Sequence, residues 1–314
     1  MKKEVFDFYS KTSIKSYNLD ERIRYQLKML DSLDAFTRRH SENVANITCR
    51  LCENLKLSQG FTIYCTICAY IHDIGKIFIP PQVLQKPEKL TDEEYEIMKT
   101  HTTIGHKMCM EDLKLRPYAA GPLYHHEALN GKGYPNGLKA NEIPYEGQII
   151  RVADEFEAIT AKRQYKTHVG IVDTLKIMVE NTKPNIKDMK DKPKIFSKET
   201  YLGKIDKDIV KALFKVIIDD TEYEIAARID YLEYLKDEIK RMKEAYKFYE
   251  KMEGATSQSK KEYYKQGVEM FLRPHEVAEK CPEMLAEFKE AYKVRKDHIN
   301  RLYDEVKQIK RLEV

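Results

Sequence analysis

Residues 61–77 read FTIYCTICAYIHDIGKI, an apolar helical segment that ends at the adjacent pair His72-Asp73 and turns at Gly75. An imidazole has a single lone pair for a metal ion, whereas an aspartate has two oxygens and can bridge two cations. Asp73 is therefore the natural bridging ligand, with histidines on either side of it. This stretch predicts a helical protein that carries a metal centre at the end of this helix.

Other metal-competent side chains lie near helix ends or glycine turns on both sides of this stretch. They are His40, His101, His125, His126 and Asp154. Imidazole and carboxylate ligands suit iron, manganese or zinc better than magnesium. Two such ions about 3.5–4 Å apart can hold a bridging hydroxide and clamp a phosphoryl group, which is the chemistry of phosphodiester hydrolysis.

Lys76 lies one helical turn beyond His72. At that spacing it can offset phosphate charge or protonate a leaving oxygen. We therefore predict that Asp73 and Lys76 are the catalytic residues of the centre.

Apolar residues recur with helical spacing through much of the first half of the chain, and no segment alternates as a strand does. Thr91 and Glu94 form a predicted capping box at the start of one of these helices. The pattern predicts an all-α protein, with helices at residues 20–32, 41–57, 61–73, 91–107, 149–161 and 169–181.

Composition excludes several classes of protein. The 314 residues carry 55 Lys and Arg against 51 Asp and Glu, a formal charge of +4, so a dedicated binder of nucleic-acid polymers is not expected. No apolar run approaches the roughly 18 residues of a membrane helix, and the first residues lack a signal-peptide core. The sequence predicts a cytoplasmic protein with no membrane partner.

Four of the six cysteines form two C-x-x-C pairs, Cys49/Cys52 and Cys65/Cys68. Such pairs often bind zinc, but these lie inside apolar helical segments rather than in turns. Because residues three apart share a helix face and free Cys is a common core residue, we favour structural packing over a metal site.

The C-terminal part has a heptad-like apolar spacing, at residues 225–249 and 285–309, which follows a Lys-rich connector at 183–207. Two such helices joined through residues 254–257 predict an antiparallel hairpin or a coiled-coil dimer element. A helix pair that packs on its own core domain is the alternative. The predicted domains are a short helical lead at 1–30, a catalytic domain at 31–220 and a C-terminal helical region at 221–314.

Several motifs together resemble the HD-GYP family of hydrolases. The similarity covers about residues 31–166, with a looser tail, and the motifs follow in the family's order. They read HDIGKI at 72–77, KTHTTIG at 99–105, YHHE at 124–127, NGKGYPNGL at 130–138 and RVADEFEAIT at 151–160.

This resemblance implies an HD-domain-like helical bundle that hydrolyses the bacterial second messenger cyclic di-GMP. One metal would be held by His40, His72, Asp73 and Asp154, and the other by Asp73, His101, His125 and His126. Lys76 would lie near the scissile phosphate, and the loop Gly133-Tyr134-Pro135 would border the substrate. Arg163 and Lys166 would contact the dinucleotide, as the Arg and Lys of the family's Arg-Pro-Tyr-Lys run do.

The chain departs from the family pattern at two positions. Phe36 stands where some members have a Glu that binds a third metal, so we expect two divalent ions and linear pGpG as the product. Both iron and manganese accept these ligands, and of the two we favour iron. Gln164 replaces the usual Pro of the Arg-Pro-Tyr-Lys run. Glu127 has two readings, one that orients a ligand histidine and one as a simple surface residue.

Two alternative functions stay open at this point. The chain could hydrolyse another cyclic dinucleotide, such as 3′,3′-cyclic GMP-AMP, because base contacts are hard to read from sequence. It could instead be a weakly active nucleotide-binding module whose C-terminal helices dock a partner protein. The same helices could form a homodimer.

Overall fold

The computed structural model describes residues 35–161, 169–184 and 203–313. Within these ranges the chain is helical and contains no β-strand, which confirms the predicted all-α bundle with a C-terminal extension of long helices. None of the helices in these ranges is both long and apolar enough to cross a membrane. The lead at 1–30, Gln164, Arg163, Lys166 and most of the Lys-rich connector lie outside the described residues.

The chain divides into two compact units, one that runs to Ile217 and includes the last few residues, and one at Ile218–Lys310. The helices of the first unit are α1 (Ala35–Asn54), α2 (Gln59–Tyr70), α3 (Pro81–Leu84), α4 (Asp92–Lys99), α5 (His101–Glu111), α6 (Ala120–Tyr124), α7 (Tyr145–Thr160) and α8 (Ile171–Asn181).

Local capping explains where these helices begin and end. Ser58 caps α2 by accepting a hydrogen bond from the backbone of Phe61. The predicted capping box of Thr91 and Glu94 starts α4. The helix predicted over 91–107 is in fact two helices, which are separated by a tight backbone turn at Thr100. The N–H of Thr100 donates to the Ile97 carbonyl three residues back, rather than four as in an α-helix.

The core of the first unit lies where α1 packs against α2 and α7. Leu51, Ile71 and Ile149 are almost completely buried there. Burial of each such side chain contributes about 1.5–3 kcal/mol. These contacts hold the end of α2, and with it His72 and Asp73, against α1 and α7.

The four cysteines of the C-x-x-C pairs are free and buried in this core, as the packing interpretation predicts. Burial raises the pKa of the Cys49 thiol to about 12 and raises that of Cys65 well above its usual value. Metal ligation needs the thiolate, which such burial disfavours.

Gly75 brings α5 close to the end of α2. A Cβ at this position would lie 1.9 Å from the carbonyl oxygen of His101, so only glycine allows the approach. This contact places His101, the first residue of α5, beside Asp73.

The next helix, α9 (Lys207–Glu253), begins in the first unit and continues into the C-terminal unit from Ile218 onward. The C-terminal unit also contains α10 (Gln258–Glu269) and α11 (Cys281–Lys310). Two apolar clusters join α9 to α11. One contains Ile225, Leu232, Ile299, Leu302 and Val306; the other contains Met242, Ala245, Val268, Ala278, Cys281 and Leu285.

The two segments with heptad-like apolar spacing therefore pack on each other within one chain, as the prediction of an antiparallel hairpin has it. The connection is longer than predicted, because residues 254–257 lead into α10 rather than directly into the second long helix. Gly267 of α10 packs against Phe248, where a Cβ would lie 2.4 Å from the ring.

Candidate metal centre

The two carboxylate oxygens of Asp73 face different pairs of histidines. Oδ2 lies 3.2 Å from Nε2 of His72 and 3.6 Å from Nε2 of His40. Oδ1 lies 3.5 Å from Nε2 of His101 and 3.8 Å from Nε2 of His125. This is the arrangement that the sequence predicts for a bridging aspartate.

We call His40, His72 and Asp154 the carboxylate-rich half of the centre. Nε2 of His40 lies 3.1 Å from Oδ1 of Asp154, which α7 brings against α1. The ligand atoms of His40, His72 and Asp73 lie within 4.8 Å of one another, which is close enough for a single ion.

We call His101, His125 and His126 the imidazole-rich half. Their ligand atoms also lie within 4.8 Å of one another. The rings of His125 and His126 have centroids 4.1 Å apart, and those of His101 and His126 are 5.1 Å apart. The six other predicted ligands are thus brought together around Asp73.

Hydrogen bonds at the outer ring nitrogens orient the histidines. Nδ1 of His72 donates to the Ala69 carbonyl at 2.7 Å, and Nδ1 of His101 donates to the Met98 carbonyl at 2.7 Å. His125 donates from Nδ1 to the Pro122 carbonyl at 2.9 Å. Because a carbonyl only accepts, each of these Nδ1 atoms carries the proton, and in the neutral ring Nε2 presents a lone pair to the centre.

Two of these lone pairs face each other. Nε2 of His101 lies 3.2 Å from Nε2 of His125, and neither atom carries a proton in the neutral tautomers just described. Nε2 of His72 and Oδ1 of Asp73 are buried and have no hydrogen-bond partner among the described residues. Buried acceptors that face one another without a donor repel, and a cation between them removes the repulsion. The donor set therefore fits divalent metal ions.

The charges of the site also suit metal ligation. Burial favours the neutral form of Asp73, but the positive charge of the Lys76 ammonium opposes it, and the pKa of this carboxyl is held well below its usual range. Burial lowers the pKa of His101 to about 4, and holds the pKa of His125 well below its usual value. An ionised carboxylate and neutral imidazoles are the forms that bind metal.

The pKa of His40 shifts in the opposite direction from those of His101 and His125. Burial alone would lower its pKa, but hydrogen bonds to Asp154 and Glu157 raise the pKa to about 9. Its ring is held between two carboxylates, so positive charge at Nε2 is strongly favoured there.

Lys76 lies beside the shared aspartate. Its Nζ is 2.5 Å from Oδ2 of Asp73, and its side chain is one-fifth exposed. The predicted position of Lys76 next to the reacting phosphate is compatible with this location at the edge of the centre.

The loop that contains Gly133, Tyr134 and Pro135 packs against the imidazole-rich half. The ring of Tyr134 stacks on His126 with centroids 4.6 Å apart, and its backbone N–H donates to the His126 carbonyl at 3.2 Å. A Cβ on Gly133 would lie 2.3 Å from the backbone nitrogen of Ala128, which requires glycine. Pro135 follows Tyr134 through a cis peptide bond.

Glu127 has a different role from both predicted ones. It is buried, and its two carboxylate oxygens accept hydrogen bonds from the backbone N–H groups of Asn136 and Leu138, at 2.7 and 2.9 Å. Glu127 therefore holds the loop that carries Tyr134 rather than a ligand histidine, because unpaired backbone N–H groups would otherwise be costly in this half-buried turn.

Sequence reasoning missed two residues that support the ligands. Glu157 accepts a hydrogen bond from Nδ1 of His40 and a second one from Asn43 at 3.0 Å. Arg151 donates to the His126 carbonyl at 2.8 Å. Glu157 follows Asp154 by one helical turn, and this i, i+3 spacing is the signal that could have revealed it.

Comparisons with known proteins identify the family of the chain. A family model described as HD domain matches residues 24–188. A cyclic di-GMP phosphodiesterase of Thermotoga maritima is 40% identical over 173 residues, which is 53% of this chain and 47% of that protein.

Two further relatives are named for different substrates. The cyclic di-GMP phosphodiesterase response regulator RpfG of Xanthomonas campestris is 36% identical, over 47% of this chain and 41% of that protein. The 3′3′-cGAMP-specific phosphodiesterase 3 of Vibrio cholerae is 34% identical, over 49% of this chain and 34% of that protein. The match thus spans less than half of each relative's own length. The match to the family model and the ordered motifs place this chain in the HD domain family, as a member of its HD-GYP group.

Proposed function

We propose that this chain is a metal-dependent phosphodiesterase that hydrolyses cyclic di-GMP. The observation that carries the proposal is Asp73, whose two oxygens face two separate sets of histidine nitrogens. Relatives named as cyclic di-GMP phosphodiesterases are 36–40% identical to the chain over about half of its length. A shared carboxylate between two ion sites is the arrangement that in-line displacement at a phosphodiester uses.

The proposed ligands are the seven predicted residues, with Asp73 common to both ions. Two bound divalent ions would supply Lewis-acid polarisation of a phosphoryl oxygen and would lower the pKa of water. The neutral rings of His101, His125 and His126 would hold one ion, and His40, His72 and Asp154 the other. Imidazole-rich sites of this kind favour iron or manganese over magnesium, and we propose iron.

The chain's own cations would bind the substrate. The Lys76 ammonium, at the edge of the centre, would neutralise a phosphate oxygen and could donate a proton to the leaving oxygen. Arg163 and Lys166 would contact the dinucleotide, and Tyr134 would border it. A guanidinium can hold a phosphate with two parallel hydrogen bonds, which suits Arg163 to that role.

The proposed product is linear pGpG. Phe36 supports this product, because a phenyl ring has no metal-binding atom at the position where some members of the family have the ligand of a third metal.

A second substrate, 3′,3′-cyclic GMP-AMP, is favoured by a specific observation. Two relatives that are 32–34% identical over about half of the chain are named as specific for this dinucleotide. Both substrates would undergo the same reaction at the same centre, so they differ only in the contacts to one base.

We also propose that the C-terminal unit binds a second copy of the chain or a partner protein. The binding surface would be one other than the apolar contact between α9 and α11. The contact residues Ile225, Leu232 and Met242 are already packed within the chain. A regulatory module without turnover is the remaining alternative, and the intact His72-Asp73 pair argues against it.

Product chromatography tests the proposal. Purified protein, kept anaerobic and supplied with Fe²⁺ or Mn²⁺, is incubated with cyclic di-GMP and, in parallel, with 3′,3′-cyclic GMP-AMP. Metal-dependent formation of pGpG supports the proposal, and turnover of the mixed dinucleotide alone favours the second substrate. GMP as the main product would contradict the argument from Phe36, and no product from metal-loaded protein would leave the regulatory module as the better explanation.

A further inference from the structure

Tyr95, Lys99 and Tyr134 form a surface cluster next to the metal centre, which we call the tyrosine–lysine cluster. Tyr95 and Lys99 lie one turn apart on α4, so they share a helix face. The rings of Tyr95 and Tyr134 meet edge to face with centroids 6.2 Å apart. Nζ of Lys99 lies 5.3 Å from the centroid of the Tyr95 ring and 5.8 Å from that of Tyr134.

The cluster is open to solvent on one side. Tyr95 is 47% exposed, although a ring of this size normally gains from burial. The Lys99 side chain is one-quarter exposed, and its Nζ also pairs with Glu96 at 2.5 Å. Since an ammonium has three N–H donors, Glu96 and the two rings hold Lys99 in place while donors remain for a ligand.

The cluster connects directly to the candidate ligands. Tyr134 stacks on His126 on one face and meets Tyr95 at its edge. One aromatic ring therefore separates Tyr95 from the imidazole-rich half of the centre. In a nucleotide, one ribose separates the phosphate from the base, so a phosphate at the centre would place its base near this cluster.

We propose that the tyrosine–lysine cluster is a subsite for a guanine base of the cyclic dinucleotide, with Tyr95 stacking on the base and Lys99 donating to its O6 and N7 atoms. The proposal rests on the function proposed above. It names two residues, Tyr95 and Lys99, that the sequence motifs do not assign to the substrate.

Tyr95 would contribute affinity for any purine, whereas Lys99 would contribute selectivity for guanine. Every base has a π-face, so stacking on Tyr95 tolerates any purine. Guanine presents two acceptors, O6 and N7, along one edge, whereas adenine presents N7 beside an N6 donor. Lys99 can only donate, so it favours guanine and disfavours adenine.

A single assay tests both residues. Metal-loaded full-length protein hydrolyses bis(p-nitrophenyl) phosphate, a phosphodiester without a purine, and each cyclic dinucleotide is added as a competitive inhibitor. The inhibition constants for cyclic di-GMP and cyclic di-AMP are measured whether or not either dinucleotide is cleaved. The wild-type protein should bind cyclic di-GMP more tightly.

Lys99→Met keeps the apolar stem and removes the donor. We expect the ratio of the two inhibition constants to fall about tenfold toward unity, because one base contact is lost. Lys99→Arg should restore most of the ratio, since arginine donates to the same two acceptors. Lys107→Met on α5, an exposed lysine outside the cluster, is the matched control and should leave the ratio unchanged.

Tyr95→Leu should weaken both dinucleotides about tenfold and leave their ratio unchanged, whereas Tyr95→Phe should retain the wild-type constants because it keeps the ring. This pair tests the subsite even if Lys99→Met does not fold.

Three outcomes would overturn the subsite. They are an unchanged ratio in Lys99→Met, a wild-type protein that binds cyclic di-AMP as tightly as cyclic di-GMP, and a parallel loss of bis(p-nitrophenyl) phosphate hydrolysis and dinucleotide binding in both cluster variants. The last outcome would mean that the cluster only supports the loop. Failure of the proposed function looks different, because the wild-type protein would then hydrolyse bis(p-nitrophenyl) phosphate without inhibition by either dinucleotide.

Discussion

The two halves of the metal centre share Asp73 but differ in how one histidine, His40, is held. In the imidazole-rich half, backbone carbonyls of Met98 and Pro122 accept the outer N–H groups of His101 and His125. In the carboxylate-rich half, His40 donates its outer N–H to the buried carboxylate of Glu157. His72 of that half also donates to a backbone carbonyl, that of Ala69, so His40 is the histidine that a side chain orients.

The halves also differ in charge. His101, His125 and His126 are neutral ligands, so Asp73 is the formal negative charge next to that ion. The other half adds Asp154, which contacts His40 at 3.1 Å, and Glu157 behind the same ring. Because more negative charge surrounds it, the ion of the carboxylate-rich half should bind more tightly and should respond to side-chain mutation.

Asp73→Asn should have the largest effect, because it removes the charge that both halves share. Loss of Lewis-acid stabilisation worth several kcal/mol corresponds to a drop in turnover on the order of a thousandfold or more. Metal content should fall for both ions, as measured by elemental analysis beside product chromatography. A variant that retains both metal and turnover would refute the bridging role. Asp173→Asn on α8, an exposed aspartate, is the control and should behave as the wild type.

Asp154→Asn removes a ligand from the carboxylate-rich half, and His126→Asn removes one from the imidazole-rich half. Each variant should lose about one ion per chain and keep the other, with turnover reduced on the order of a hundredfold, because in-line displacement uses both ions. Elemental analysis with a spectroscopic metal such as Co²⁺ would distinguish the remaining site, since one has carboxylate and the other imidazole ligands. Loss of both ions in either variant would mean that the halves are not independent.

Lys76→Met separates turnover from metal binding. Lys76 contacts Asp73 but offers no lone pair to a metal while it is protonated. We expect full metal content and a decrease in kcat on the order of a hundredfold, which is the scale of a lost proton donor or phosphate contact. A decrease in metal content that matches the decrease in kcat would assign Lys76 a structural role instead. Lys86→Met removes a lysine that pairs with Glu94 away from the centre and serves as the control.

The sequence predicts which side chains come together around Asp73 better than it predicts the contacts that orient those side chains. His72, Asp73 and the other ligands belong to short motifs whose residue types carry the chemistry, so their convergence around Asp73 could be anticipated. Glu157 acts on the centre through its contact with His40, which lies 117 positions away along the chain. Helical spacing from Asp154 indicates the face of Glu157 but cannot identify its partner.

The helical architecture shows the same limit. Periodicity locates α1, α2 and α7 because each has an apolar face, but it misses the break at Thr100, which is one local backbone turn. It also misses α10, whose sequence is mostly polar and whose buried contacts are limited to Gly267 and Val268. Segments that contribute little apolar area to the core leave a weak periodic signal.

Glu157 provides the finest test of the difference between the halves. Glu157→Ala leaves the outer N–H of His40 without its acceptor, and loss of such a partner weakens metal affinity about 10- to 100-fold. Glu157→Gln keeps an acceptor and removes the charge, so its effect should be smaller and should separate orientation from electrostatics. Competition with a chelator should show a shift for one of the two ions only, because His101 and His125 rely on backbone carbonyls that no side-chain mutation removes. Glu180→Gln on α8, whose carboxylate pairs with Lys183 at the surface, is the matched control. Equal shifts for both ions would mean that Glu157 acts through the stability of the whole bundle, and the two halves would then form a single unit.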